Sequence, residues 1–211
     1  MKVKNHIVLM ADIIKSRKSV QKRLMEDFIR ITECINKTNS KQLLSPLTIT
    51  LGDEFQGVVK SVFDACTVIF TLEEEIIRQQ VDFKLRYVLA EGTIDTPINP
   101  EIAYGMLGEG LSKARKALQE SKNEPSRFHI ELLNSSKSQA LNNSFLIYQA
   151  LINSWNVKKD YELIIAFLKV GGYKQVAEKL GKTRSQIWKR EKSLKINEYI
   201  AIKEIIHYIG N

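Results

Sequence analysis

The chain has 211 residues, of which 44% are hydrophobic, 27% charged and 8% aromatic, with 10 glycines and 4 prolines; this composition excludes collagen-like, low-complexity and wholly disordered chains. No apolar run approaches the roughly 18–20 residues of a membrane span, which excludes a helical membrane protein. The net charge of +8 is concentrated: Val157–Asn211 hold 12 Lys/Arg against 6 Asp/Glu, whereas the preceding 156 residues hold 20 against 18.

The opening Met1-Lys2-Val3-Lys4-Asn5-His6 is followed by an apolar stretch that Asp12 interrupts, too short and polar for a secretory signal. His6 to Ala11 is uninterrupted and apolar, the pattern of a strand buried on both faces. After polar Lys15 to Ser19, residues Val20, Leu24, Phe28, Ile31 and Ile35 recur at threes and fours, which predicts an amphipathic helix that Asn36 to Ser40 breaks. Leu47 to Leu51 and Phe55 to Val58 alternate around Gly52-Asp53-Glu54, a β-hairpin. Val62 to Ile77 is apolar on most sides and predicts a helix packed deep on a sheet. Phe83 to Ala90 is a further strand, and Leu111, Ala114 and Leu118 define a helix ending near Glu120. Phe128 to Leu133 is the last strand. Cys34 and Cys66 lie in helical patterns with no C-x-x-C and read as buried thiols of a cytosolic, cytoplasmic protein.

This order predicts an α+β domain with one mixed sheet over residues 1–135. Asn134-Ser135-Ser136-Lys137-Ser138 reads as a boundary. Residues 140–211 read as a small all-α domain.

Within that tail, Tyr173 to Leu180 and Arg184 to Leu194 predict two short helices joined at Gly181-Lys182. Thr183 and Gln186 have capping-box spacing. Ala177, Gly181 and Ile187 supply the small residue, turn glycine and inward apolar residue of a helix-turn-helix over 173–194. Arg184, Ser185, Gln186, Lys189, Arg190 and Lys192 are side chains that reach phosphates and base edges. The pattern resembles bacterial winged-helix and related helix-turn-helix domains, which implies duplex DNA as partner. Arg190 and Glu191 stand where a buried apolar residue is common, leaving Trp188 or Leu194 to pack. A solvated lysine-rich surface, or a helical docking module, is the competing explanation.

Asp12 ends the first strand and Asp53 sits at the hairpin tip, so adjacent pairing of these elements brings both carboxylates to one sheet edge. There they either share a cation or cap a helix and shape a turn. Ala11-Asp12-Ile13-Ile14-Lys15-Ser16-Arg17 and Leu51-Gly52-Asp53-Glu54-Phe55 resemble the two metal motifs of class III nucleotidyl cyclases and related palm-type, ferredoxin-like domains. Leu85-Arg86-Tyr87-Val88-Leu89-Ala90-Glu91-Gly92 and Tyr104-Gly105-Met106-Leu107-Gly108-Glu109-Gly110 continue the likeness over roughly residues 5–133. With the tail included, the chain most resembles the SatD family of bacterial proteins.

The resemblance implies Asp12 and Asp53 as ligands of Mg²⁺, with Mn²⁺ as substitute. It implies a nucleotide or phosphorylated ligand near Ile13, Lys15, Ser16, Arg17 and Glu54, and Asp12, Asp53, Ser112 and Arg115 as catalytic candidates. The base-selecting positions hold Ile49 and Ala103, and Ser112 replaces the transition-state Asn, so the metal half of a cyclase site stands without its base readers. Cyclases and helix-turn-helix regulators both pair, which implies a homodimer. Three readings follow: a DNA-binding regulator with a degenerate cyclase-like ligand domain, an active nucleotidyl-transfer enzyme, and a protein-interaction adaptor. Walker, Rossmann and zinc motifs are absent.

Overall fold

A computed structural model describes residues 4–14 and 21–211. The strands are β1 (Asn5–Ile13), β2 (Leu43–Ile49), β3 (Glu54–Val59), β4 (Leu85–Thr93) and β5 (Phe128–Glu131). The helices are α1 (Gln21–Thr38), α2 (Val62–Arg78), α3 (Glu109–Glu120), α4 (Ser135–Ile152), α5 (Val157–Val170), α6 (Tyr173–Leu180), α7 (Arg184–Ser193) and α8 (Ile196–Gly210). The sheet order is β2-β3-β1-β4-β5. β1 runs antiparallel to β3 and β4, and β5 lies parallel to β4, so the expected mixed α+β sheet is present.

β1 is central, and its apolar run follows from burial on both sides. Ile7, Leu9, Ala11 and Ile13 face a core shared with α1 and α2. Val8 and Met10 face the opposite layer, built with Leu111, Ala114 and Leu118 of α3 and with Ala103 and Met106 of the preceding loop. Pro46, which has no N–H to give, sits in edge strand β2 within the register shift between Ser45 and Thr48.

Two turn-like polar stretches have other roles. α1 continues through Asn36, whose side chain exchanges two 2.8 Å hydrogen bonds with the Leu47 backbone instead of competing for its own helix. Asn134 does not open a linker: it caps α4 by accepting from the Lys137 N–H at 3.0 Å, and the helix begins at Ser135. Turn formers and N-cap formers are the same residue types, which is why the pattern reads both ways. Of the two thiols, Cys66 is buried and its pKa is pushed up to about 12 by that burial, whereas Cys34 is only half-buried.

The helical tail shares the core of the sheet. Tyr87 of β4, Phe128 of β5 and Phe145 of α4 stack in sequence, with ring centroids 5.2 and 4.8 Å apart. Tyr148 continues the contact to Tyr199 of α8 at 5.6 Å. Beside this stack Arg127 and Glu73 form a buried fork of 2.8 and 2.5 Å bonds, and the Tyr87 hydroxyl donates to the same carboxylate. Among the described residues no helix is long and apolar enough to cross a membrane.

Candidate functional site

The period-two alternation of strands assembles a polar row on the α3 side of the sheet. The register sets Asp12 of β1 opposite Glu54 of β3 and Arg86 of β4. All three are buried. Arg86 Nη1 donates to both oxygens of Asp12 at 2.9 and 3.0 Å, and Lys122 Nζ stands 3.6 Å from the same carboxylate. Arg115 of α3 reaches down to Glu54 at 3.0 Å. Burial raises the Asp12 pKa above its ordinary value, Arg86 and Lys122 oppose the rise, and the Asp53 charge adds to it. α3 can lie this close because Gly92 of β4 and Gly110 of α3 meet directly. A Cβ on Gly92 would stand 2.6 Å from the Gly110 Cα.

Asp53 occupies the turn between β2 and β3, and its carbonyl accepts from the Ile13 N–H at 2.9 Å, so it lies at the Asp12 end of the sheet. The oxygens of Asp12 already bind a guanidinium. A divalent cation there would compete with Arg86 for those oxygens. No cluster of three or more metal-ligating side chains exists among the described residues. Two carboxylates still match the demand of Mg²⁺, which completes its shell with water and phosphate.

Two of the residues expected near a ligand have partners within the protein. Glu54 is buried and its carboxylate is paired with Arg115. Ile13 turns its side chain into the helix-side core, and its N–H is spent on Asp53. Lys15, Ser16 and Arg17 lie outside the described residues. Ser112 and Arg115 do come together, lining a cavity of about 210 Å³ with Thr50, Gln56 and Tyr104. Ile49 packs against the opposite core, and Ala103 offers the cavity region only backbone groups, which bind Thr48 and Gln56. Arg86 and Lys122, which contact Asp12, and Gln56, which lines the cavity, are side chains at this site that motif reasoning passed over. The signal for Arg86 and Gln56 is a long polar residue inside an otherwise apolar strand.

In the helical tail, α6 stops at Gly181, which is left-handed with φ 61°. Thr183 then caps α7 in a complete capping box with Gln186, both bonds 3.3 Å. Ile187 and Ala177 are buried, as the pattern requires. Leu194, not Trp188, supplies the further packing: Leu194 is buried and Trp188 is 45% exposed. The Trp155 indole donates to the Leu194 carbonyl at 2.9 Å and closes the end of α7. Glu191 is buried because it accepts the first N–H of α6, that of Tyr173, at 3.1 Å. Arg190 is half-buried and held by Asp160 of α5 at 2.5 Å, which makes it a brace. Arg184, Ser185, Gln186, Lys189 and Lys192 are exposed.

A model of the SatD family matches residues 6–208. Comparison with curated proteins gives no match. Among solved structures, a bacterial light-regulated adenylyl cyclase is similar at 12% identity, covering 62% of this chain and 77% of its own, with a TM-score of 0.45. The guanylyl cyclase domain of the RhoGC fusion protein from the aquatic fungus Blastocladiella emersonii is similar at 20% identity, covering 56% and 74%, with a TM-score of 0.39. The adenylyl cyclase CyaB from P. aeruginosa is similar at 9% identity, covering 57% and 74%, with a TM-score of 0.36.

Proposed function

The chain belongs to the SatD family, and from that premise we propose that it is a cytoplasmic DNA-binding regulator, a homodimer, in which a phosphate-binding cyclase-like layer (residues 1–135) is coupled to a helix-turn-helix (173–194). The observation that carries this reading is α7 itself. It is anchored from below by Ile187 and presents Arg184, Lys189 and Lys192 to solvent on the most basic quarter of the chain. In this reading the three cations neutralise backbone phosphates, while Ser185 and Gln186, near the N-terminal end of α7, meet base edges in the major groove. Gln186 keeps its amide nitrogen for that contact, because its oxygen accepts from Thr183. Two α7 helices of a homodimer would match paired half-sites.

For the ligand layer, the 210 Å³ cavity sets Thr50, Gln56, Ser112 and Arg115, which can hydrogen-bond or carry charge, beside apolar Met10, Met106 and Leu111. The first four suit a phosphate-bearing ligand. Asp12 and Asp53 would hold Mg²⁺ or Mn²⁺, which supplies charge neutralisation to a polyphosphate. Arg86, displaced from Asp12 by such a cation, keeps a phosphate within reach as a new partner, and its Nε has no hydrogen bond in the present arrangement. Ile49 and Ala103 give a purine edge no side-chain hydrogen bond, which argues against the nucleotidyl-transfer alternative.

Anisotropy titration of a labelled duplex tests the reading. Lys189→Ala with Lys192→Ala should weaken binding to all sequences and flatten its salt dependence, and Ser185→Ala should change sequence preference. Absence of binding at low salt overturns the reading in favour of a docking module. Turnover of ATP or GTP to a cyclic product, lost in Asp53→Asn, would replace it with the enzyme.

A further inference from the structure

A groove of about 840 Å³ separates α5 from α7. Lys159 and Glu162 of α5 form one wall, Lys182 of the turn closes one end, and Lys189 and Arg190 of α7 form the other wall. We propose that this groove is a track for one phosphodiester strand of bound duplex DNA, extending the contact from α7 onto α5. The inference rests on the DNA-binding reading and adds Lys159 and Lys182 to it.

Two observations select a polyanion over an apolar peptide. Of the apolar side chains that line the groove, Leu163 and Ile187 are 9% and 1% exposed and Leu180 is half-buried, so none offers a docking peptide a fully exposed apolar face, and apolar area is what drives such docking. The walls instead carry four cations against the single carboxylate of Glu162. Lys159, Lys182 and Lys189 enter no ion pair among the described residues. Arg190 is the exception, and its bond to Asp160 ties α7 to α5 so that the two walls keep a fixed spacing. Lys189 belongs both to this wall and to the exposed surface of α7, so the track is continuous with the proposed reading helix.

Charge release gives the test a number. Each phosphate neutralised contributes about 0.9 to the slope of log K against log salt on B-DNA. Lys159→Ala and Lys182→Ala should therefore each lower the slope by about 1 and weaken binding without changing sequence preference. Glu162→Gln should act in the opposite direction and tighten binding, an outcome that damage to the fold does not produce. Lys60→Ala, an exposed lysine after β3, is the control and should leave the slope unchanged. The experiment uses the full chain and a fluorescein-labelled duplex of mixed sequence, titrated between about 50 and 200 mM salt, with circular dichroism melts for every variant. If the wild type binds and the slope falls in both lysine variants, the track stands. If it binds and both variants keep the wild-type slope, or Glu162→Gln weakens binding, the track is overturned while the α7 reading survives. If the wild type binds no duplex, both fail together.

Discussion

Single residues decide most where charge is buried. Arg127 is buried against Glu73 in a two-bond fork and also donates to the Leu85 carbonyl. Arg127→Ala would strand the Glu73 carboxylate, and breaking a buried pair on one side costs about 3–5 kcal/mol. Urea denaturation should show a loss of that size, with a smaller loss for the double change Glu73→Leu, Arg127→Leu. A loss under about 1 kcal/mol in the single variant would mean that water reaches the site. His207 gives a pH dependence of known sign. Its ring lies between Phe63 and Phe70, with Thr67 Oγ1 3.2 Å from Nε2. Burial and then the Lys203 charge lower its pKa below 6.5. The unfolded chain thus binds this proton at a higher pH than the folded one. The contribution is full above 6.5 and is lost as pH falls through the lowered value. Urea midpoints should fall from pH 7.5 to 5.5, and His207→Phe should remove part of the drop. His6, lowered in the same direction by burial and Lys4, retains the rest.

At the scale of elements, α7 has a mean composition too polar to hold itself in place, and its position depends on its two ends and on Ile187. Thr183→Ala removes the acceptor for the Gln186 N–H and should cost about 1 kcal/mol. The loss should be local, seen as faster amide exchange in the first turn of α7 with β1 and β4 unchanged. An equal loss of protection in the sheet would place α7 inside the main cooperative unit. The polar row is likewise a property of paired elements. Asp12, Glu54 and Arg86 are far apart in the chain, and only the β3-β1-β4 register sets them side by side. Arg86→Met should leave Asp12 without its guanidinium and raise the affinity of the protein for Mn²⁺, measured by the loss of the free-ion resonance signal. Unchanged affinity would mean that Asp12 and Asp53 do not act together on a cation.

At the scale of the molecule, strands stop and helices take over near residue 135, but packing does not stop there. Phe70, Phe128, Phe145, Tyr148 and Tyr199 form one chain of rings from α2 and the sheet into α4 and α8. Lys203 adds cation–π contacts at 5.1 and 5.2 Å to Phe70 and Tyr199. In a Trp188→Phe background, far-ultraviolet circular dichroism and the fluorescence of buried Trp155 should therefore report one coincident urea transition. Two separated transitions would show that the strand-bearing and helical parts unfold independently.

The sequence by itself determined the order of strands and helices as far as β5, the buried faces of β1 and α2, and the capped turn between α6 and α7. Each of these is set by a local period or by a side chain bonding its own neighbours, so nearby residues suffice. The tertiary structure alone decided that Asn36 continues a helix, because its side-chain partner is the Leu47 backbone of β2, eleven residues on. It also decided that Leu194 is covered and Trp188 is not. The pairing of Arg86 with Asp12, of Arg115 with Glu54 and of Asp160 with Arg190 belongs to the same class. Each joins residues brought together by strand register or helix packing, and attraction between charges distant in the chain leaves no period in the sequence to be read.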